Sequence, residues 1–255
     1  RGGGRSSARE TIGRVAAGAI AEKFLKQLNI SVTAYAKSIG PVEVSPERMD
    51  LSEIPNNQFC LPDADSAKEA EHYLDQKIAE CDSVGGVVEC VISGLPAGLG
   101  EPVFEKLDAN LAKAILSIGA VKGFEIGDGF AATKACGSEN NDEFRMDGDK
   151  IVKETNHAGG VLGGISDGSA VIFRAAFKPT PSIAKSQETV TKDGENIDLV
   201  IHGRHDPVVV PRAVVVVESM AAITAMDMLL MSMTSRLDLI QMFFQVENVD
   251  DSPEQ

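Results

Sequence analysis

The sequence predicts an α+β fold in which long buried helices lie against antiparallel sheets. Three observations carry that reading. Strand signals follow one another as hairpins, without the regular βαβ alternation of a doubly wound sheet. Two helical stretches, one towards each end, are apolar or small on nearly every face, as only a helix packed on several sides can be. The chain has 255 residues at 43% hydrophobic content, enough to bury a large core as one domain or two smaller ones.

The first helix opens at Ser7, which with Glu10 has capping-box spacing. Ahead of it, Gly2 to Gly4 let the backbone approach a ligand, and Arg5 and Arg9 add permanent charge beside the free N–H groups of the helix start, a combination suited to a phosphate. A flexible loop before a capped helix gives the same pattern, and the residues alone do not decide between them. Ile12, Val15, Ala16, Ala19, Ile20 and Phe24 form one apolar stripe at helical spacing, and Gly13, Ala17, Gly18 and Ala21 keep the remaining faces small rather than charged, which predicts a helix packed on several sides.

Ile30 to Lys37 alternates as a half-buried strand with a nonlocal partner, and residues 41–62 read as loop. A second helix follows Asp65, with Ala67, Ala70, Leu74, Ile78 and Cys81 inward and His72 outward, stopping at Gly85-Gly86. Val87 to Ile92 is a strand. The glycine-punctuated loop 94–100 leads to a helix with Pro102 in its first turn and Phe104, Leu107, Leu111 and Ile115 buried. Gly119 to Ile126 is a strand open to close approach, and residues 127–155 read as a lid or disordered link. Residues 156–166 form a second glycine cluster, equally suited to contact with a flat ligand or to tight packing on a helix. Val171 to Phe177 is a strand delivering the stiff loop Lys178-Pro179-Thr180-Pro181-Ser182, and 189–201 is a hairpin about Asp193-Gly194. Arg204, His205 and Asp206 are compressed between Gly203 and Pro207. The last helix runs from Pro211 to about Arg236 with Val215, Ala222 and Leu229 on its apolar face, and 250–255 reads as a disordered acidic tail.

With 38 acidic against 24 basic residues, net charge −14, the chain is ill suited to a nucleic-acid groove or an anionic membrane face, so any anion site must be a local basic island. Cys60, Cys81, Cys90 and Cys136 have no CxxC spacing, which predicts reduced thiols in a cytoplasmic protein and no metal site. The most apolar region, Val208 to Met233, is interrupted by Arg212, Glu218 and Asp227, so no transmembrane span is predicted. No P-loop, HExxH or GxSxG occurs. The chain starts within a glycine motif and without methionine, which predicts further sequence upstream.

Five stretches, in order, resemble one family, chorismate synthase: RGGGRSSARETIGRVAAGA (1–19), DSVGGVVECVISGLPAGLGEPVFEKL (82–107), SIGAVKGFEIGDGF (117–130), NHAGGVLGGIS (156–166) with FKPTPS (177–182), and GRHDPVVVPRAV (203–214). The resemblance implies a helical core sandwiched between antiparallel β-sheets, one domain over residues 1–249, a homotetramer, and 1,4-anti elimination of phosphate from 5-enolpyruvylshikimate 3-phosphate with reduced FMN. It implies flavin contacts at Arg5, Ser6, Ser7, Gly119, Ala120, Gly163, Lys178, Pro179, Thr180, Pro181, Ser182 and Arg204, and substrate contacts at Arg9 and Arg204. Asp206 resembles the family aspartate beside flavin N5. Position 119 is glycine where some members have asparagine, which leaves a backbone contact only. The resemblance also implies that about the first third of the family's length, with both catalytic histidines, has no counterpart here, and that His157 and His205 do not replace them.

Overall fold

The fold is given by a computed structural model that describes residues 7–203 and 205–245. Its helices are α1 (Thr11–Lys26), α2 (Ala64–Ala79), α3 (Leu107–Leu116), α4 (Val210–Met233) and α5 (Leu237–Phe244). Its strands are β1 (Ser31–Ile39), β2 (Val42–Glu43), β3 (Gly86–Ser93), β4 (Val121–Ile126), β5 (Phe144–Asp147), β6 (Lys150–Lys153), β7 (Val161–Leu162), β8 (Ile165–Ser166), β9 (Val171–Phe177), β10 (Gln187–Val190) and β11 (Asn196–Leu199). Five strands form one antiparallel sheet in the order β2-β1-β3-β9-β4, and β5–β6, β7–β8 and β10–β11 are separate hairpins.

Alternation splits the sheet into two faces. Ala34, Ala36, Val88, Cys90, Phe173 and Ala175 are buried in the core that the helices share. On the other face the register aligns Tyr35, Glu89, Arg174 and Glu125 across four strands. The Tyr35 hydroxyl donates to Glu89, and Arg174 Nε lies 2.8 Å from Glu125. Burial, then the Glu89 contact, pushes the Tyr35 phenol up. A one-residue slip would carry these charges into the apolar face, so the row also fixes register.

The helix α4 lies on β1 and β3 and is flanked by α1 and α3. It is long and apolar enough to cross a membrane, but half of its apolar stretch is buried in protein. Its approach to α1 is set by Gly18, where an added Cβ would stand 2.3 Å from Ser219 Cβ. That contact lies on the one face of α1 that is packed, where the sequence predicts packing on several sides. Gly18, Ala21 and Leu25 are buried, whereas Ile12 is 71% and Ile20 69% exposed, with Phe24 exposed as well. Small residues allow the closest backbone approach and so the densest packing, which outweighs burying the larger side chains. The described residues contain one large sheet.

Other boundaries move for local reasons. The α2 helix ends at Ala79, well before Gly85, in a Schellman arrangement: Asp82 N–H donates to Lys77 O and Cys81 N–H to Ile78 O, with Cys81 at φ 57° in place of a glycine. Ile78 and Cys81 are correspondingly exposed. Helix α3 starts at Leu107, whose N–H donates to Gly164 O at 2.8 Å, so Pro102 lies outside it and Phe104 is 84% exposed. At the C-terminal end α4 stops at Met233 with α5 as a separate helix; Val215 is exposed and Ala222 buried. The acidic tail lies outside the described residues.

Residues 127–155 are neither lid nor link. They hold a 3-10 turn at Gly129–Lys134, whose Phe130 N–H donates to Glu125 at 3.1 Å, and the hairpin β5–β6, which is tied down by Lys153, whose buried ammonium sits 3.2 Å from Asp142 and 2.7 Å from Asp167. Asp142 also accepts the N–H groups of His157 and Ala158 and the Thr155 hydroxyl.

Candidate functional site

The candidate site is built at the end of the sheet where β9 finishes and β3 and β4 begin, since Phe177 pairs with both Gly86 and Val121. Just beyond β9, Lys178 N–H donates to Ala120 O at 3.0 Å, which joins the Lys178–Ser182 loop to the start of β4. Ala120 holds φ 72°, a strained position for a residue with a Cβ. The connection from α2 to β3 crosses below: Ser83 Oγ donates to Thr180 O at 2.6 Å, and Val84 N–H donates to Pro207 O at 2.8 Å, which brings in Asp206. From the helix side, Arg14 donates to Ser117 Oγ at 2.6 Å and to Ser117 O at 3.3 Å, placing the first turn of α1 beside the end of α3 and hence beside Gly119.

Segments carrying Ser7, Arg9, Gly119, Ala120, Lys178, Pro179, Thr180, Pro181, Ser182 and Asp206 are thus fastened to one end of the molecule. Gly163 is not among them. It occupies the β7–β8 turn at φ 62°, next to Gly164, which receives the first N–H of α3. Ser117 lies at the other end of that ten-residue helix, about 15 Å away by helical rise. Arg5, Ser6 and Arg204 lie outside the described residues.

The capping box is half realised. Ser7 Oγ accepts the Arg9 N–H at 3.3 Å, while Glu10 pairs with Arg14 at 3.0 Å instead of reaching back. Arg14 is a residue that sequence reasoning misses: its spacing from Glu10 signals an i,i+4 pair, but the Ser117 contact is tertiary. A second missed residue is Arg212, in the first turn of α4, which donates to Asp206. His205 donates through Nε2 to Ile201 O at 2.8 Å, and His157 pairs with Asp128 at 2.7 Å near the far end of β4. His157 therefore lies away from the assembled end, and His205, although next to Asp206 in the chain, spends its ring on the Ile201 carbonyl.

Electrostatically this end is a basic island. Arg9 and Lys178 are exposed and have no ion pair among the described residues. The Thr180 Oγ1 atom is buried with no hydrogen-bond partner among them. A side chain at 119 would meet nothing within 4 Å, so the backbone there is open to close approach. Two uncompensated cations, one orphaned hydroxyl and an open backbone suit an anionic group, because a buried polar atom left unpaired costs about 1–3 kcal/mol that such a ligand recovers. Nearby, the Ser83 N–H and then Lys185 hold the Asp82 carboxyl below the usual range, which keeps this rim ionised.

The comparisons with known proteins agree with one another. The family model for chorismate synthase matches residues 1–230. A chorismate synthase of Agathobacter rectalis is 63% identical over 245 residues, covering 96% of this chain and 67% of that protein. One from Lachnoclostridium phytofermentans is 61% identical over 246 residues, with the same coverage of each, and one from Gloeothece citriformis is 54% identical over 234 residues, covering 90% and 65%. A solved chorismate synthase structure superposes with a TM-score of 0.76 at 30% identity, over 94% of this chain and 69% of that one. Sequence and fold together show that this chain, which spans about two thirds of the length of these relatives, belongs to the chorismate synthase family.

Proposed function

We propose that the assembled end is the flavin-binding part of a lyase that releases phosphate from 5-enolpyruvylshikimate 3-phosphate to give chorismate, on the route to aromatic amino acids. The observation that supports this most is the convergence of Lys178, the orphaned Thr180 hydroxyl and the open backbone at Gly119 and Ala120 on one sheet end beside the start of α1. Ser7, with Arg5 and Ser6 before it, and the loop through Pro179, Pro181 and Ser182 would hold the phosphate and edge of reduced FMN, and the family resemblance adds Arg204 to these contacts. Bound there, reduced FMN would lend electron density to the substrate transiently and recover it by the end, so that the elimination stays redox-neutral.

The residues of the chain have distinct tasks. Arg9, a permanent cation in the turn leading into α1, holds the substrate anion and keeps it oriented. Asp206 holds or moves a proton at the flavin edge, with Arg212 fixing the direction of its carboxylate. Loops of restricted freedom exclude water: two prolines stiffen 178–182 and two more, Pro207 and Pro211, bracket the entry to α4. The surroundings of the reaction are cytoplasmic and the assembly a homotetramer in this reading, with no nucleic acid or membrane as partner.

A second reading rests on coverage. The family resemblance puts two catalytic histidines in the part of the relatives that has no counterpart in these 255 residues, and the histidines at 157 and 205 are spent elsewhere. Flavin binding without turnover is the outcome then. Titrating the chain with reduced FMN beside a chorismate assay separates the two: binding with turnover supports the lyase, binding alone the second reading, and no binding overturns both.

A further inference from the structure

The loop Lys178–Ser182 has no strand partner of its own beyond Lys178, yet it must hold its shape if it is to hold a ligand. What reaches it comes from the short connection between α2 and β3. Ser83 Oγ donates to Thr180 O at 2.6 Å, a bond spanning 97 positions of sequence and half-buried at both ends. The two neighbours of Ser83 anchor the same connection on either side. Asp82 pairs with Lys185, three residues beyond the loop, at 3.2 Å, and Val84 donates to Pro207 O while bridging Val208 in parallel. Gly85 then passes so close beneath the chain that an added Cβ would lie 2.2 Å from Phe177 O and 3.2 Å from Pro179 N. One four-residue segment is therefore fastened to both loops that carry candidate site residues. Within it, Ser83 is the side chain that grips the loop at Thr180, the residue whose own hydroxyl is buried and unpaired.

We propose that Ser83 is a positioning residue of the site: its hydroxyl fixes the Thr180 carbonyl, and with it the direction in which the Thr180 hydroxyl and Lys178 face the ligand. Ser83 touches no ligand itself. The inference rests on the reading above that this loop holds the flavin, and the test is arranged so that the two can fail separately.

The variants are Ser83→Thr, which keeps the hydroxyl, and Ser83→Val, which keeps the threonine shape and lacks it, with Ser83→Ala beside them. FMN affinity is read by quenching of flavin fluorescence, thermal melting reports the fold, and amide hydrogen exchange reports Lys178, Thr180 and Ser182. Ser83→Val and Ser83→Ala should bind FMN about tenfold more weakly than the parent chain, the worth of one half-buried hydrogen bond, and should exchange faster at the loop amides; Ser83→Thr should restore both. Equal affinity of Ser83→Val and Ser83→Thr in a parent that binds FMN overturns the inference. If the parent does not bind FMN, the flavin reading fails and exchange decides alone: faster exchange in Ser83→Val than in Ser83→Thr upholds the positioning role, and equal exchange overturns it. The Thr/Val comparison survives a failure of the alanine variant to fold, because the two side chains match in volume.

Discussion

Two glycines of α1 should respond to alanine with opposite signs. At Gly18 the new Cβ would stand 2.3 Å from Ser219 Cβ, 2.5 Å from Ser219 Cα and 2.6 Å from Ser219 Oγ. Carbon atoms in good contact stand about 3.5–4.0 Å apart, so α1 and α4 must separate by roughly 1 Å or more. No rotamer change relieves this, because one of the clashing atoms is backbone. Overpacking of this kind costs about 1–3 kcal/mol, and the better helix propensity of alanine returns at most about 1 kcal/mol. The net expectation for Gly18→Ala is a loss of about 1–2 kcal/mol. At Gly13, on the same helix, nothing lies within 4 Å of the new atom, so Gly13→Ala should gain about 0.5–1 kcal/mol from backbone entropy alone. Urea denaturation followed by circular dichroism measures both, with equal m-values certifying that only stability changed. Adding Ser219→Gly to Gly18→Ala should recover part of the loss and no more, because the new methyl still meets the backbone of α4 at position 219. A Gly18→Ala protein as stable as Gly13→Ala would show that α1 and α4 do not meet at this point.

Further perturbations test other parts of the structure. Lys153→Met leaves Asp142 and Asp167 buried without their cation, and should cost about 3–5 kcal/mol in the same denaturation assay; a loss under about 1 kcal/mol would mean that the cluster is wet. Burial alone would raise Asp63, but hydrogen bonds from Ser66 and Arg48 outweigh it and hold the carboxyl well below its ordinary range. A carboxyl depressed in the folded state contributes stability above its unfolded pKa of about 3.9 and loses it as pH falls further; Asp63→Asn should therefore flatten the acid limb of a stability-versus-pH curve, and an unchanged limb would contradict the geometry. Glu218 behaves oppositely. Burial raises it, and its carboxylate accepts the Ala34 N–H at 2.7 Å, so its charge costs stability as pH rises from about 4.3 through the raised pKa. Glu218→Gln, which keeps an acceptor, should be as stable or more so at pH 7, and a marked loss there would show that the charge itself is needed. Lys178→Ala should weaken FMN binding about tenfold or more through loss of a charge-assisted contact, with its melting temperature unmoved; unchanged affinity would remove Lys178 from the site.

Sequence by itself determined the α+β class, the strands at 31–39, 86–93, 121–126 and 171–177, the hairpin about Asp193-Gly194 and the grouping of residues that mark the family. These are set by short-range chemistry: alternation, turn residues and motif spacing act within a few positions of the chain. The ends of helices were legible only where the expected residue did the work. Cys81 closes α2 in a conformation normally left to glycine, and α3 begins where Gly164, far along the chain, offers a carbonyl.

What tertiary structure alone decided is which face of a helix is inside and which loops share a site. Composition made α1 apolar or small all round and so packed on several sides, but only the Gly18 face is inside, since its close packing on Ser219 follows from the shape of α4 rather than from the hydrophobicity of α1. The resemblance groups Gly163 with Gly119 as flavin contacts, yet α3 holds the two at its opposite ends, because a helix of fixed rise is a rigid spacer. The contacts that gather the remaining site residues, Arg14 to Ser117, Ser83 to Thr180 and Arg212 to Asp206, join side chains of ordinary polar type. Nothing local distinguishes such residues from solvated ones. Their partners are supplied by the order of strands in the sheet, and that order is a property of the packed chain, not of any stretch within it.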